Sequence, residues 1–275
     1  YDSIDAAQAY ITENLYEKIT ANGHTTTVTS SALEHYIKNP ALLYEFVDKA
    51  FKTEFFKNNK PVYNGEQYIK RGVLHHFLLR LVKMDAQYTP FRYIGSEVQI
   101  EMPYSFTSGG NSISVRLGGT IDRVDCKDDT IGIADYKTGG GSSSDGNMSL
   151  EDIFAHKAKS AGYHLQAFLY SIALKNALSS KATGNGEWVK RIEGGETKRI
   201  SPQLLYVHQK DNAERTEFVV KVAKEPVNDI AAIEAEYMSR LQAVMAEIFD
   251  CEKPFVPATD ADKCKYCDYK EICGK

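Results

Sequence analysis

Gly118-Gly119-Thr120-Ile121-Asp122-Arg123-Val124-Asp125, followed after Lys127-Asp128-Asp129 by Ile131-Gly132-Ile133-Ala134-Asp135-Tyr136-Lys137-Thr138-Gly139, is where the chain declares its architecture. Two apolar segments joined by a short polar turn read as antiparallel strands. On a strand, side chains two apart share a face, so Asp135 and Lys137 project together and Tyr136 points away. Pairing across the turn can bring Asp122 beside Asp135. Two carboxylates and one ammonium then converge at one end of a sheet. Such oxygens suit Mg²⁺, which keeps several waters for a phosphate to replace. A neighbouring Lys can orient an attacking water and offset charge building on a phosphorane. A D-x-K triplet alone is common on solvated strand edges, and Asp125, Asp128 and Asp129 are read as such surface acids. The apolar strand before this triplet and the G-x-x-D hairpin upstream set it apart.

Working outward, residues 96–106, 112–125 and 130–137 read as a three-strand meander with a further turn at Ser108-Gly109-Gly110-Asn111. Helical periodicity precedes it over 5–19, then from Ser30 and Ser31 as N-cap candidates with Glu34 in capping-box position. Pro40 opens the next helix, through Leu42, Leu43, Phe46, Val47 and Phe51. Another is expected over 66–82, with Ile69, Val73, Phe77 and Leu81 as its apolar stripe. Residues 139–147 form a Gly/Ser-rich loop, expected to rim the site. Helices follow over 150–159 and 163–178, strands over 203–209 and 216–222, and a final helix over 227–249. The expectation is one α/β domain over 1–275 with a central mixed sheet flanked by helices. Its parts would be a helical region 1–60, a core 61–225, and a C-terminal helix with a Cys-rich tail 226–275. Neither a repeat protein nor a doubly wound Rossmann unit fits this order.

Composition narrows the class. The 275 residues carry 33 Lys+Arg against 37 Asp+Glu, a net charge of −4, with 43% hydrophobic and 25% charged residues. Dominant disorder is excluded, and so is a chain-wide basic coat, so any nucleic acid must be met by a local groove. No apolar run approaches the roughly 18 residues of a membrane span. Tyr1 in place of an initiator Met leads us to expect a piece of a longer polypeptide. The five cysteines are an odd set, with Cys264, Cys267 and Cys273 crowded at the end. Reduced thiols of a cytoplasmic protein are expected rather than a disulfide framework. No Walker-type G-x-x-x-x-G-K-[ST] occurs, so any motor would lie elsewhere.

Four segments in order resemble the PD-(D/E)XK nuclease superfamily with its restriction-endonuclease-like core, and within it the RecB-like and AddB-like exonuclease branch. Gly72-Val73-Leu74-His75-His76 looks like the helix-borne G-x-x-x-H, Gly119-Thr120-Ile121-Asp122-Arg123 like G-x-x-D-R, and Asp135-Tyr136-Lys137 like (D/E)-x-K. Gln166-Ala167-Phe168-Leu169-Tyr170 looks like Q-x-x-x-Y, whose i,i+4 spacing puts both polar groups on one helix face. The likeness runs from about Ser30 to Cys273. It implies Mg²⁺ or Mn²⁺ on His76, Asp122, Asp135 and the Tyr136 carbonyl. Lys137 would position the water, and Gln166 and Tyr170 would aid substrate placement. His76 shares a stripe with Ile69 and Val73, which favours it over His75 as the inward-facing ligand, although a satisfied core histidine fits the same stripe. Gln166 and Tyr170 also fit a polar pair under the sheet.

The tail Cys264-x₂-Cys267-x₅-Cys273 resembles the run that supplies three ligands of a [4Fe–4S] cluster in AddB-like relatives, where the fourth Cys precedes a Pro far upstream. Here Asn39 stands at that place, before Pro40. A cluster with Cys251 or His35 as substitute, zinc on three Cys and a His, and three thiols serving only as packing all stay open. Cys126 reads as a buried small hydrophobe.

The resemblance implies a metal-dependent DNA nuclease, exonucleolytic, acting in DNA recombination and repair with a helicase domain or subunit. Against it stands a degenerate fold that holds DNA or a helicase partner without cutting. A phosphodiesterase acting on RNA or a small nucleotide is the third reading.

Overall fold

Two tight turns lay out the sheet. In the computed structural model Gly109 and Gly110 take φ of 55° and 80°, and Asp128 takes 53°, left-handed values that close hairpins. They join β2 (Phe91–Ser108), β3 (Asn111–Lys127) and β4 (Thr130–Lys137) into the expected meander. The structure describes residues 2–23, 26–57, 60, 62–137, 147–158, 160–180, 186–206, 218–254, 256–257, 264–265 and 267–274. The sequence-based loop at 139–147, apart from Asn147, lies outside them, as do residues 207–209 and 216–217 of the two strands expected over 203–209 and 216–222.

The sheet has the order β1-β2-β3-β4-β5, where β1 is Thr27–Val28 and β5 is Arg199–Tyr206. β4 and β5 run parallel and the other pairs antiparallel, so the sheet is mixed as expected. β4 is buried from Ile131 to Asp135, the near-continuous apolar run of a strand covered on both faces. β3 pairs with β4 only from Lys127↔Thr130 to Arg123↔Ala134. Beyond that point β2 and β3 continue as a two-stranded ribbon to Ser108↔Asn111.

α6 (Ala161–Ser180) lies across β2 to β5, with α5 (Leu150–Phe154) and α7 (Glu234–Ile248) beside it. Ile100, Ile121, Ile133, Phe168 and Leu174 fill the core between them. The helices α1 (Asp2–Gly23), α2 (Ser30–Lys38), α3 (Tyr44–Ala50) and α4 (Gly65–Tyr88) gather around a second core of Leu15, Leu33, Phe46, Phe51, Leu74 and Phe91. α4 starts at a full capping box: the Gln67 N–H donates to Asn64 Oδ1 at 2.9 Å and the Asn64 N–H to Gln67 Oε1 at 3.0 Å. Such a cap is worth about 1 kcal/mol.

Several expectations change. α4 turns its Leu74–Leu78–Leu81 row inward, leaving Ile69 and Val73 70% and 40% exposed, so only Leu81 of the expected stripe is in the core. Apolar residues occur on two sides of this helix, and the row that meets α2 and α3 wins. Asp125 is not a surface acid but fully buried, accepting from Arg123 Nε at 3.0 Å. α2 begins at Ser30 with Thr29 as cap and no side-chain cap bond, Ser30 Oγ donating instead to Glu34 at 3.2 Å. The last helix starts late because Asp229 caps a separate 3₁₀ turn, Ile230–Ala232. Of the second strand pair, an isolated Gln203↔Val219 bridge and the short strands β6 (Lys221–Val222) and β7 (Glu225–Pro226) are seen.

Candidate active site

The β3–β4 ladder stops at Arg123↔Ala134, and the next residue on each strand is an acid, Asp122 and Asp135. The backbone N–H of Tyr136 donates to Asp122 Oδ2 at 2.6 Å, which ties the two strands where their ladder ends. Lys137 follows on the same face as Asp135, its Nζ 2.5 Å from Asp135 Oδ2. From there a polar chain climbs α6. Lys137 Nζ donates to Gln166 Oε1 at 3.4 Å, and Gln166 Nε2 donates to the Tyr170 hydroxyl at 2.9 Å. The i,i+4 spacing of Gln166 and Tyr170 does what the sequence implied. Gly119 lets α6 come this close: a Cβ there would fall within 2.8 Å of the Tyr170 ring.

The site is short of positive charge. Burial, then the charge of Asp135, pushes the Asp122 carboxyl up to about 8, against the lowering effect of the Tyr136 N–H. Glu97 is a third acid at this end. It falls between the pairs Ser96↔Arg123 and Val98↔Ile121, across from Asp122, in a left-handed conformation with φ 49°. Desolvation raises its pKa first, then Glu13 and Asp135. A left-handed Glu inside a strand is strained, and such strain gathers at functional sites. Sequence reasoning missed Glu97, though counting back from the Gly109-Gly110 turn puts it opposite Asp122. The donor set of carboxylates with a strand-end carbonyl is all oxygen and matches Mg²⁺ or Mn²⁺ chemistry. Among the described residues no three His, Cys, Asp or Glu side chains are gathered tightly enough to hold a metal ion. His76 therefore does not stand in a preassembled set with Asp122 and Asp135.

Behind the strands, alternation sends Arg123 and Tyr136 to the opposite face. Arg123 is fully buried, with Nη1 2.6 Å from Asp85 Oδ2 on α4 and 3.3 Å from the Tyr136 hydroxyl. Its guanidinium also stacks on Tyr16 and Phe91, at 4.5 and 4.9 Å, and the Tyr16 hydroxyl donates to Asp85. Burial opposes its charge, but Asp85, the tyrosines and Asp125 outweigh it and raise its pKa well above the usual value. The G-x-x-D-R segment thus splits in two. Asp122 serves the site, and Arg123 bolts the strand to the helical lobe.

The two histidines also separate. His75 Nε2 lies 2.8 Å from the Pro40 carbonyl and its ring stacks on Tyr44 at 3.9 Å. His76 is exposed, on the outward side with Ile69 and Val73, not facing the core. Cys264 and Cys267 are half-buried in the tail and Cys273 is exposed, while Cys126 is buried, which raises its thiol to about 11. No described helix is long and apolar enough to cross a membrane.

A comparison with curated proteins gives no match. A family model of the PD-(D/E)XK nuclease superfamily matches residues 13–274. That span takes in both strand acids, the lysine and the polar face of α6 that meets them, and the chain belongs to the PD-(D/E)XK nuclease superfamily.

Proposed function

We propose that this chain is a divalent-metal-dependent deoxyribonuclease hydrolysing phosphodiester bonds. It works exonucleolytically, as the RecB-like or AddB-like nuclease part of a helicase–nuclease in DNA repair and recombination. The observation that carries this reading is the junction of Asp122, Asp135 and Lys137 with the Gln166–Tyr170 pair at one end of the sheet. Asp122, Asp135 and the Tyr136 carbonyl are the groups that would hold Mg²⁺ or Mn²⁺, and His76, which stands apart from the acids in the metal-free chain, would complete the set only on metal binding. Such an ion supplies Lewis-acid polarisation of a phosphoryl oxygen and the positive charge that two neighbouring carboxylates need.

The chain's own groups do the rest. Lys137, steadied by Asp135 and Gln166, orients the attacking water and offsets negative charge gathering on the phosphorane. Gln166 and Tyr170 hold the scissile phosphate and the Lys137 ammonium in register. Residues 264–273 carry three of the thiols a cluster needs, but the cleavage chemistry does not call on them.

The test is cleavage of linear single- and double-stranded DNA with Mg²⁺ or Mn²⁺, beside Lys137→Ala and beside EDTA. Metal-dependent cutting that disappears in the variant is expected. Equal rates in both proteins would refute the assignment. A circular substrate left intact supports end-directed action, and RNA cut in preference to DNA would move the substrate class.

A further inference from the structure

Lys137 differs from the two acids in how it is placed. Strand backbone fixes a short Asp, whereas an ammonium ends a flexible four-carbon stem and takes its position from its neighbours. Among the described residues three neighbours meet it: Asp135 Oδ2 at 2.5 Å, Gln166 Oε1 at 3.4 Å, and the face of the Tyr163 ring, 4.3 Å from Nζ to the centroid. The first two belong to the site already described. Tyr163 does not, and no motif in the sequence points to it.

Tyr163 sits three residues before Gln166 on α6, so ring and amide lie one turn apart on the face that also carries Tyr170. The ring is half-buried and packs against the core under the sheet, which limits its freedom to swing away. Lys137 keeps only 14% of its side-chain surface exposed. The attraction between an ammonium and an aromatic face strengthens with such desolvation. Asp135 alone would leave the ammonium free to slide along its carboxylate. The ring and the amide add two contacts from a separate, rigid element.

We propose that Tyr163 is a positioning residue for Lys137: its ring face holds the ammonium between Asp135 and Gln166, setting turnover rather than the affinity for DNA or metal. The role rests on the nuclease reading above, and its test separates the two. With Tyr163→Leu, kcat for DNA cleavage falls about tenfold. KM, and Mn²⁺ affinity by calorimetry, stay within about twofold of wild type. Tyr163→Phe keeps the ring face and restores turnover. If the Leu variant does not fold, Tyr163→Met, unbranched and of similar bulk, gives the same reading.

A second readout needs no cleavage. Reductive ¹³C-methylation gives each lysine an NMR resonance, and that of Lys137 is assigned by its loss in Lys137→Arg. Ring current shifts this resonance upfield in wild type and in Tyr163→Phe, and the shift collapses in Tyr163→Leu. Turnover unchanged in the Leu variant, or equal losses with Leu and Phe, overturns the role. A wild type that cuts no DNA refutes the nuclease reading instead, and an unshifted Lys137 resonance then also refutes the ring contact.

Discussion

Asp122 accepts a hydrogen bond from the backbone N–H of Tyr136, so the acid of one strand is tethered at the centre of the D-x-K triplet of the next. That tether stabilises the ionised carboxylate, yet burial and Asp135 outweigh it and hold the pKa at about 8. In the unfolded chain an Asp titrates near 3.9. Between roughly pH 4 and 8 the metal-free native state therefore binds more protons than the unfolded state, and Asp122 makes stability fall as pH rises through that window. Thermal midpoints in EDTA from pH 5 to 8.5 should decline. Asp122→Asn should flatten the decline, Glu97→Gln should make it shallower, and Mg²⁺ should lift the alkaline end. A slope unchanged by Asp122→Asn would contradict the assignment.

Gly119 is required by contact, not by backbone angle. In Gly119→Ala the new methyl meets the Tyr170 ring, which must turn away and carry Gln166 off Lys137. We expect cleavage to fall by about tenfold or more and stability by about 1–3 kcal/mol. Adding Tyr170→Leu should return much of the stability in denaturant titrations and none of the activity.

Asp85 and Arg123 form an ion pair in which both side chains are 0% exposed. Removing one partner strands a buried charge at a cost of about 3–5 kcal/mol, so Arg123→Met or Asp85→Asn should be severely destabilised in urea. Because buried Asp125 also accepts from Arg123, the variant Arg123→Met with both Asp85→Leu and Asp125→Leu should lose less than Arg123→Met alone. Additive losses would show that this cluster is not the unit that matters.

His75 and His76 should part company in experiment. His75→Ala gives up the Pro40 contact and the Tyr44 stack, for about 1–2 kcal/mol, with cleavage retained. His76→Ala should leave stability within about 0.5 kcal/mol and weaken Mn²⁺ binding by about tenfold or more. The reverse outcome would assign the ligand to His75.

The meander was legible because its signals are local. Paired turn residues at Gly109-Gly110 and Asp128-Asp129, with apolar alternation between them, fix both the strands and the face that Asp135 and Lys137 share. Gln166 and Tyr170 came from the family resemblance, and helical spacing added only that they share one face of α6. What escaped needed knowledge of partners. The orientation of α4 depends on which of two apolar rows meets α2 and α3, and periodicity alone ranks Ile69 and Val73 with Leu74 and Leu78. Asp125 looks like any hairpin acid until Arg123 is seen folded back onto it with Asp85. Glu97 could have been found by counting along the hairpin, and Tyr163 by taking the α6 face one turn further. Neither residue type marks itself out in a sequence rich in Glu and Tyr.

The ribbon formed by β2 and β3 outruns β4, and its far end is fastened: Ser108 Oγ donates to the Ala246 carbonyl of α7 at 2.6 Å, and Phe106 meets Phe249 at 5.3 Å. Asp122 sits at the ribbon's root, where three strands become two. Mechanically this is a lever with its fulcrum at the acid pair and its handle on the C-terminal helix. A displacement of that helix would be passed along the ribbon to the strand that carries Asp122, and so to its spacing from Asp135.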